Sequence, residues 1–312
     1  MASRPGRGQG VATLRRIGWL SIGSKDSPTD LHVEFKQGMR DLGWQEGKNV
    51  EYQFLYADGS VDRLDAMAGE LVRRAVDIIV VNNALTTRAA QKATKTVPIL
   101  MTGVSSPVSN GFVASLAKPG GNITGIAIVP EEVQGKLIGI LHEIVPKARR
   151  IAIVLNDRNL NHDALWSAAQ NACSALGLDA LRFAVSAPAQ FGAAVDQIVA
   201  SRAEAVMVAA DPLFLNERVK LQALMQTTWL PVGYSLRQHV LEGGLLSYSS
   251  DLTALFRYSA KYAHRILLGA RPADLPVEQP TKFELVINLK TAKSLGLTTA
   301  QSLLLRADEV IQ

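Results

Sequence analysis

Short apolar runs recur along the chain, each followed by a polar turn and then an amphipathic stretch. The clearest run is Ala205-Val-Met-Val-Ala-Ala210, which meets no polar residue before Asp211 and Pro212. A continuous run of this length predicts a strand buried on both faces, as in a parallel sheet. Pro212 cannot donate to a ladder, so the strand is expected to stop there. Asp211 would then stand at the carboxyl end of a central strand, the edge where open α/β sheets bind ligands.

The same rhythm predicts strands at 17–21, 50–56, 77–81, 98–102 and 123–129. Between them lie helices with apolar faces at Leu31, Phe35, Met39 and Leu42, then at Leu64, Met67 and Leu71, then over 86–95. A second round follows. A helix at 131–142 leads to strands at 151–155, 181–185, 205–210, 230–234 and 243–248, again with helical stretches between most of them. Strand–helix alternation of this length predicts right-handed βαβ units and doubly wound parallel sheets. The two rounds share a rhythm but no obvious sequence repeat, so two Rossmann-like lobes are expected to face each other across a cleft. The last part, 251–312, reads as a long amphipathic helix, a Pro-rich link, and a final strand and helix. Such a tail can cross back between lobes as hinge strands. The expected division is a disordered tail over 1–15, a first lobe over 16–129 with about 251–275, and a second over 130–250 with about 276–312.

Composition narrows the chemistry. A length of 312 residues suits about two domains. The formal charge of +5 is mild and its Lys and Arg are scattered, so no nucleic-acid partner is expected. Cys173 is the single cysteine, which excludes an internal disulfide and a cysteine-rich metal site. No apolar run approaches the ~20 residues of a membrane span. The first ten residues lack the apolar segment of a secretory signal, so none is expected in this sequence. His32, His142, His162, His239 and His264 fit no metal-ligand spacing. Gly135-Lys136 lacks the glycine of a phosphate loop, and no Gly-x-Ser-x-Gly elbow occurs. No catalysis, cofactor or metal is therefore expected.

The loops at the predicted carboxyl edges hold the candidate site. In the first lobe they are Gly23-Ser24 with Ser27 and Thr29, then Asn82-Asn83-Ala84 with Thr86, then Ser105-Ser106. Each can cap the following helix, and each helix start also offers free amides to an anion. None carries a basic side chain suited to a nucleotide phosphate, so a carboxylate suits them better. In the second lobe the candidates are Asn156, Asp157 and Asp211. Asp157 reads either as a solvated turn residue or as a ligand group. Asp211 reads either as an N-cap or as the counter-charge for a ligand ammonium, since a buried carboxylate needs a partner. Tyr234 and Tyr248 end their strands and offer hydroxyls or ring faces, unless they are plain core.

Several blocks then point in one direction. They are Arg16-Ile-Gly-Trp-Leu20, Phe35-Lys-Gln-Gly-Met-Arg-Asp-Leu-Gly-Trp44, Leu116-Ala-Lys-Pro-Gly-Gly-Asn-Ile-Thr-Gly125, Asp211-Pro-Leu-Phe214, Gly243-Gly-Leu-Leu-Ser-Tyr248, the stretch 274–288, and Leu303-Leu-Leu-Arg-Ala-Asp-Glu-Val310. With these, the chain resembles the ABC-transporter substrate-binding proteins related to the tryptophan/tyrosine-binding component. The resemblance runs from about Arg16 to the end. It implies a type I periplasmic-binding fold with two lobes, three hinge crossings and no catalysis. It also implies a monomer in the periplasm that delivers a small solute to a membrane permease and its ATPase. The implied ligand is an aromatic or branched apolar amino acid, or a related acid. Gly23-Ser24, Asn83-Ala84 and Asp211 match the ligand-facing loops of relatives. Relatives often carry Asp-Pro where this chain has Ser106-Pro107, and the usual export leader is missing. Two other readings share the fold class: the ligand-sensing module of a regulator, and an α/β enzyme using the interlobe cleft. The regulator reading needs an N-terminal DNA-binding segment, and only fifteen residues precede the first strand.

Overall fold

The computed structural model describes residues 14–25, 31–159 and 161–312. Of the expected tail over 1–15, residues 1–13 lie outside these, as do the expected caps Ser27 and Thr29, while Arg15 already belongs to the first strand. Two sheets organise the chain. The first has strand order β2-β1-β3-β4-β5, built from β1 (Arg15–Ser21), β2 (Val50–Tyr56), β3 (Ile78–Val81), β4 (Ile99–Ser105) and β5 (Ile123–Ile128). All its pairings are parallel. The second has order β12-β11-β10-β9-β8-β6-β7, from β6 (Arg150–Leu155), β7 (Asp179–Ala184), β8 (Ala205–Val208), β9 (Val232–Tyr234), β10 (Leu246–Ser250), β11 (Phe283–Asn288) and β12 (Glu309–Ile311). Its pairings are parallel except that β11 runs antiparallel to β10.

Alternation of side chains across a strand explains the unbroken apolar runs. In β8, Ala205 and Met207 enter one core while Val206 and Val208 enter the other. In β1, Ile17 and Trp19 join the core on one face and Leu20 the core on the opposite face. Helices cover both faces. The first sheet carries α1 (Leu31–Asp41), α2 (Leu64–Arg73) and α3 (Ala84–Ala93). The second carries α4 (Pro130–Ile144), α5 (His162–Ala175), α6 (Phe191–Ala200), α7 (Pro212–Asn216), α8 (Arg218–Gln226) and α9 (Gln238–Leu241).

The last helices complete the architecture. α10 (Leu252–Leu267) follows β10 of the second sheet but packs on the first, against α1. Gly38 permits that approach: a Cβ there would lie 2.4 Å from the carbonyl oxygen of Arg257. α11 (Leu289–Ser294) and α12 (Gln301–Leu304) precede β12. The final strand and helix expected from the sequence are thus β11 and α11, and the short strand β12 follows as an addition. Three residues of β12 are too short to register as a period.

The chain crosses between the sheets at Val129, at Asp251, and after residues 275–278. That last segment lies along β5: Thr124 Oγ1 donates to the Leu275 carbonyl at 2.6 Å, and Ala127 N donates to the Glu278 carbonyl at 2.8 Å. Gly125 makes the β4–β5 pairing possible, since at φ +132° a Cβ would sit 2.2 Å from the Met101 carbonyl oxygen. Several boundaries differ from the sequence reading, two of them next to candidate site residues. β8 ends at Val208, short of the expected Ala210. β4 runs on to Ser105 through a register shift between Thr102 and Val104, so Gly103 to Ser105 are strand and not loop.

His239 is buried in the second lobe and stacks on Tyr234, with ring centroids 4.6 Å apart and planes 11° apart. Burial, with Arg218 nearby as the lesser cause, pushes its pKa down from 6.5 to about 3. The unfolded chain therefore takes up a proton as pH falls below 6.5 while the folded chain does not, so stability declines on acidification. His239→Phe keeps the stack and removes the titration. Its thermal midpoint, followed by circular dichroism between pH 7 and pH 4, is expected to fall less steeply than that of the parent chain.

Candidate functional site

The facing carboxyl edges enclose a cavity of about 150 Å³. Its polar lining includes Ser21, Ser24, Asn82, Asn83, Thr102, Ser105, Asn159, Asn161 and Asp211. Its apolar lining includes Trp19, Ile22, Leu31, Ile128, Leu215, Leu236, Leu252 and Phe256, with the rings of His32 and Tyr56 beside them. Trp19 anchors the aromatic wall, with ring centroids 6.0 Å from Phe256 and 6.4 Å from His32. A second cavity of about 400 Å³ adjoins it and shares Gly23, Ser24, Asn83, Ala84, Asn159 and Asp211.

Asp211 is 3% exposed and caps α7, accepting from Leu213 N at 2.8 Å. Capping and cavity lining coexist in this one side chain. It also accepts from Asn156 Nδ2 at 2.9 Å and Asn159 Nδ2 at 2.7 Å. A carboxylate has about four acceptor sites, so three bonds leave room for one more donor. His162 is the nearest basic group, with Nε2 3.5 Å from Asp211 Oδ2. Its Nδ1 accepts from Asn156 N–H at 2.7 Å, which puts the ring proton on Nε2, facing the Ala210 carbonyl and Asp211. Burial lowers its pKa, and this outweighs the pull of Asp211 in the opposite direction. A neutral His162 holds the loop in place and, among the described residues, no Lys or Arg pairs with the carboxylate, although Lys25 lines the same cavity.

Helix α3 supplies the opposite polarity. Asn83 caps it, accepting from Thr86 N at 3.0 Å, and Ala84 at its first position lines the cavity. The first amides of a helix have no intrahelical acceptor, and the dipole is positive there. One cavity therefore presents a carboxylate and a helix N-terminus.

The lobes touch across this cavity. Asn161 lies in the loop before α5. Its Nδ2 donates to Ser105 Oγ at 2.7 Å, and its Oδ1 accepts from Asn110 Nδ2 at 2.9 Å. Gly23 faces Asn216 closely enough that a Cβ would stand 3.2 Å from its Nδ2. The cleft is closed.

Gly23, Ser24, Asn82, Asn83, Ala84, Ser105 and Asp211 thus line the cavity, while Asn156 lines the adjoining one and braces Asp211. The other sequence candidates do not line it. Thr86 is buried under its own cap, its hydroxyl donating to the Asn83 carbonyl. Ser106 turns away at φ +48° and donates to Glu131 at 3.3 Å. Asp157 is exposed, as a turn residue between polar neighbours would be. Tyr234 is fully buried core, its hydroxyl donating to Gln222. Tyr248 stacks on Phe283 at 5.8 Å. Side chains alternate across a strand, so a tyrosine near a strand end has even odds of facing the helix layer.

Sequence reasoning missed Trp19, Tyr56, Asn159, Asn161 and Phe256. The asparagines at 156, 159 and 161 form a visible run after β6, and that run was the available signal. Phe256 carries no local signal, because only the return of α10 to the first lobe brings it to the site. Among the described residues, no three His, Cys, Asp or Glu side chains converge as a metal site would require.

A family model described as ABC transporter substrate binding protein matches residues 17–311. The chain belongs to that family. A curated relative, the tyrosine-binding protein of Clostridioides difficile (strain R20291), is 25% identical over 263 residues, covering 84% of this chain and 75% of the relative. A solved ABC domain from Streptococcus pneumonia in complex with L-Trp is 26% identical, with a TM-score of 0.88 over 96% of this chain and 100% of that one. A conserved domain protein from Vibrio cholerae shares the fold at 24% identity, with a TM-score of 0.89 over 95% of this chain and 99% of that one. These likenesses agree with the two-lobed type I architecture read from the sequence. No described helix is long and apolar enough to cross a membrane.

Asn161→Ala removes both side-chain bonds that it makes across the cleft. With one spin label on each lobe, the variant is expected to show a longer mean interlobe distance, with an unchanged thermal midpoint.

Proposed function

We propose that this chain is the extracytoplasmic solute-binding component of an ABC importer, and that its solute is an amino acid with an aromatic or branched apolar side chain. One observation carries the reading: one interlobe cavity presents both the N-terminus of α3 and the carboxylate of Asp211, which has no Lys or Arg partner among the described residues. A zwitterion fits such a pair, its ammonium bonded to Asp211 and its carboxylate to the α3 amides and nearby hydroxyls. Trp19, Phe256 and the leucines favour an apolar side chain. The relatives add support, since one is named tyrosine-binding and another was solved with L-Trp. Ser24, Asn82, Asn83 and Ser105 supply the remaining polar contacts. The chain binds and releases its solute without altering it, and passes it to the permease and ATPase subunits as a monomer.

Binding is selection between lobe arrangements. The ligand favours the closed arrangement because only there do Asp211 and α3 reach it together. The lobes divide near residues 129 and 251 and again between 276 and 283.

Calorimetric titration with the twenty amino acids is expected to find a binder among the aromatic or branched apolar ones. Asp211→Ala should weaken that affinity at least about thirtyfold, the loss typical of breaking one side of a buried charge pair. Unchanged affinity in Asp211→Ala would show that the ammonium is held elsewhere.

A further inference from the structure

Behind the ligand cavity lies a void of about 30 Å³, bounded by two of the three interlobe crossings. It shares Ile128, Ala210, Leu236 and Leu252 with the ligand cavity, so the two spaces adjoin. Four buried polar side chains line the void: Gln134 on α4, 1% exposed, Ser235 after β9, 5% exposed, and Ser249 and Ser250 at the end of β10. Neither end of the Gln134 amide has a hydrogen-bond partner among the described residues, nor does the Ser235 hydroxyl. Buried polar groups are almost always bonded, and leaving one unmade is costly. A leucine or methionine would fill the Gln134 position on α4 without that cost. The space is large enough for a water-sized group and has polar partners for one.

We propose that this void is a binding site for one hydroxyl-sized oxygen, held by Gln134 and Ser235 at the hinge end of the ligand cavity. The amide can donate to the oxygen or accept from it, and the serine hydroxyl can do either as well. Two sources share this chemistry: a resident water, or the distal hydroxyl of a ligand whose ring lies against Trp19 and Phe256. In the second case the site sets selectivity, because a pocket built to bond a hydroxyl rejects the analogue without one far more strongly than an apolar pocket rejects an added one. This selectivity rests on the amino-acid reading of the main cavity. The oxygen site does not.

The test pairs crystallography with calorimetry. A high-resolution crystal structure of the full chain is expected to show an oxygen within hydrogen-bond distance of both Gln134 and Ser235. Absence of such an oxygen, or a Gln134 amide bonded wholly to protein groups, would overturn the proposal. L-tyrosine and L-phenylalanine then separate the sources. If the ligand supplies the oxygen, the parent chain prefers L-tyrosine at least tenfold, and both Gln134→Met and Ser235→Ala reduce that preference while retaining L-phenylalanine binding. If water supplies it, the preference is small in all three proteins and the oxygen persists in the L-phenylalanine complex. A large preference for L-tyrosine that both variants retain would overturn the role of these residues. Failure of both amino acids to bind would remove the amino-acid reading and leave the crystallographic result to decide the oxygen site.

Discussion

The site depends on a buried carboxylate that, among the described residues, has no Lys or Arg ion-pair partner. Asp211 is held by two asparagine amides and one backbone N–H, and the imidazole beside it is kept neutral by burial. Hydrogen bonds make such a charge tolerable but do not neutralise it, and taking an unpaired charge out of water costs several kcal/mol. That cost falls when a cation enters the cleft, and in the proposed reading the ligand's ammonium is that cation. The same carboxylate ends the run of apolar residues that makes β8 a central strand. The strand that anchors the second lobe thus delivers the charge to the cleft.

Closure follows from how the chain is threaded. Three crossings join two separately cored lobes, and α10 and residues 275–278 return to the first lobe after the second sheet is largely built. Each crossing is a short segment that can absorb backbone rotation while the sheets stay rigid. In the closed arrangement, Asn161 spends both ends of its amide on the opposite lobe. Bonds of this kind are individually modest. They hold the lobes together without locking them, which a protein that must release its solute requires.

Much of the fold was legible because burial on two faces leaves an unmistakable trace: an unbroken apolar run where water touches neither side. The strands at 78–81, 151–155 and 205–208 are of this kind, and helix faces such as Leu31, Phe35 and Met39 declare themselves by spacing. The loops at the carboxyl edges were also legible, since topology alone assigns them to the cleft. Individual side chains were not. Tyr234 ends β9 but is fully buried, and Tyr248 sits in the middle of β10 against Phe283, which composition cannot reveal. Asp157 and Asn159 stand two residues apart in one turn, yet one is solvated and the other braces Asp211. Phe256 reaches the site only through the late return of α10. Asp211 itself was found as a residue, but the neutrality of His162, which makes its charge available, required the bond from Asn156 N–H to the ring nitrogen.

The most direct test of the central claim compares the aromatic amino acid that binds best with its des-amino analogue, in which hydrogen replaces the ammonium, by calorimetric titration at pH 7. If Asp211 awaits a cation, the analogue should bind at least a hundredfold more weakly, because the carboxylate would again be buried without a partner. Equal affinity for the two compounds would contradict the account, since the buried charge could then not be what the ligand relieves.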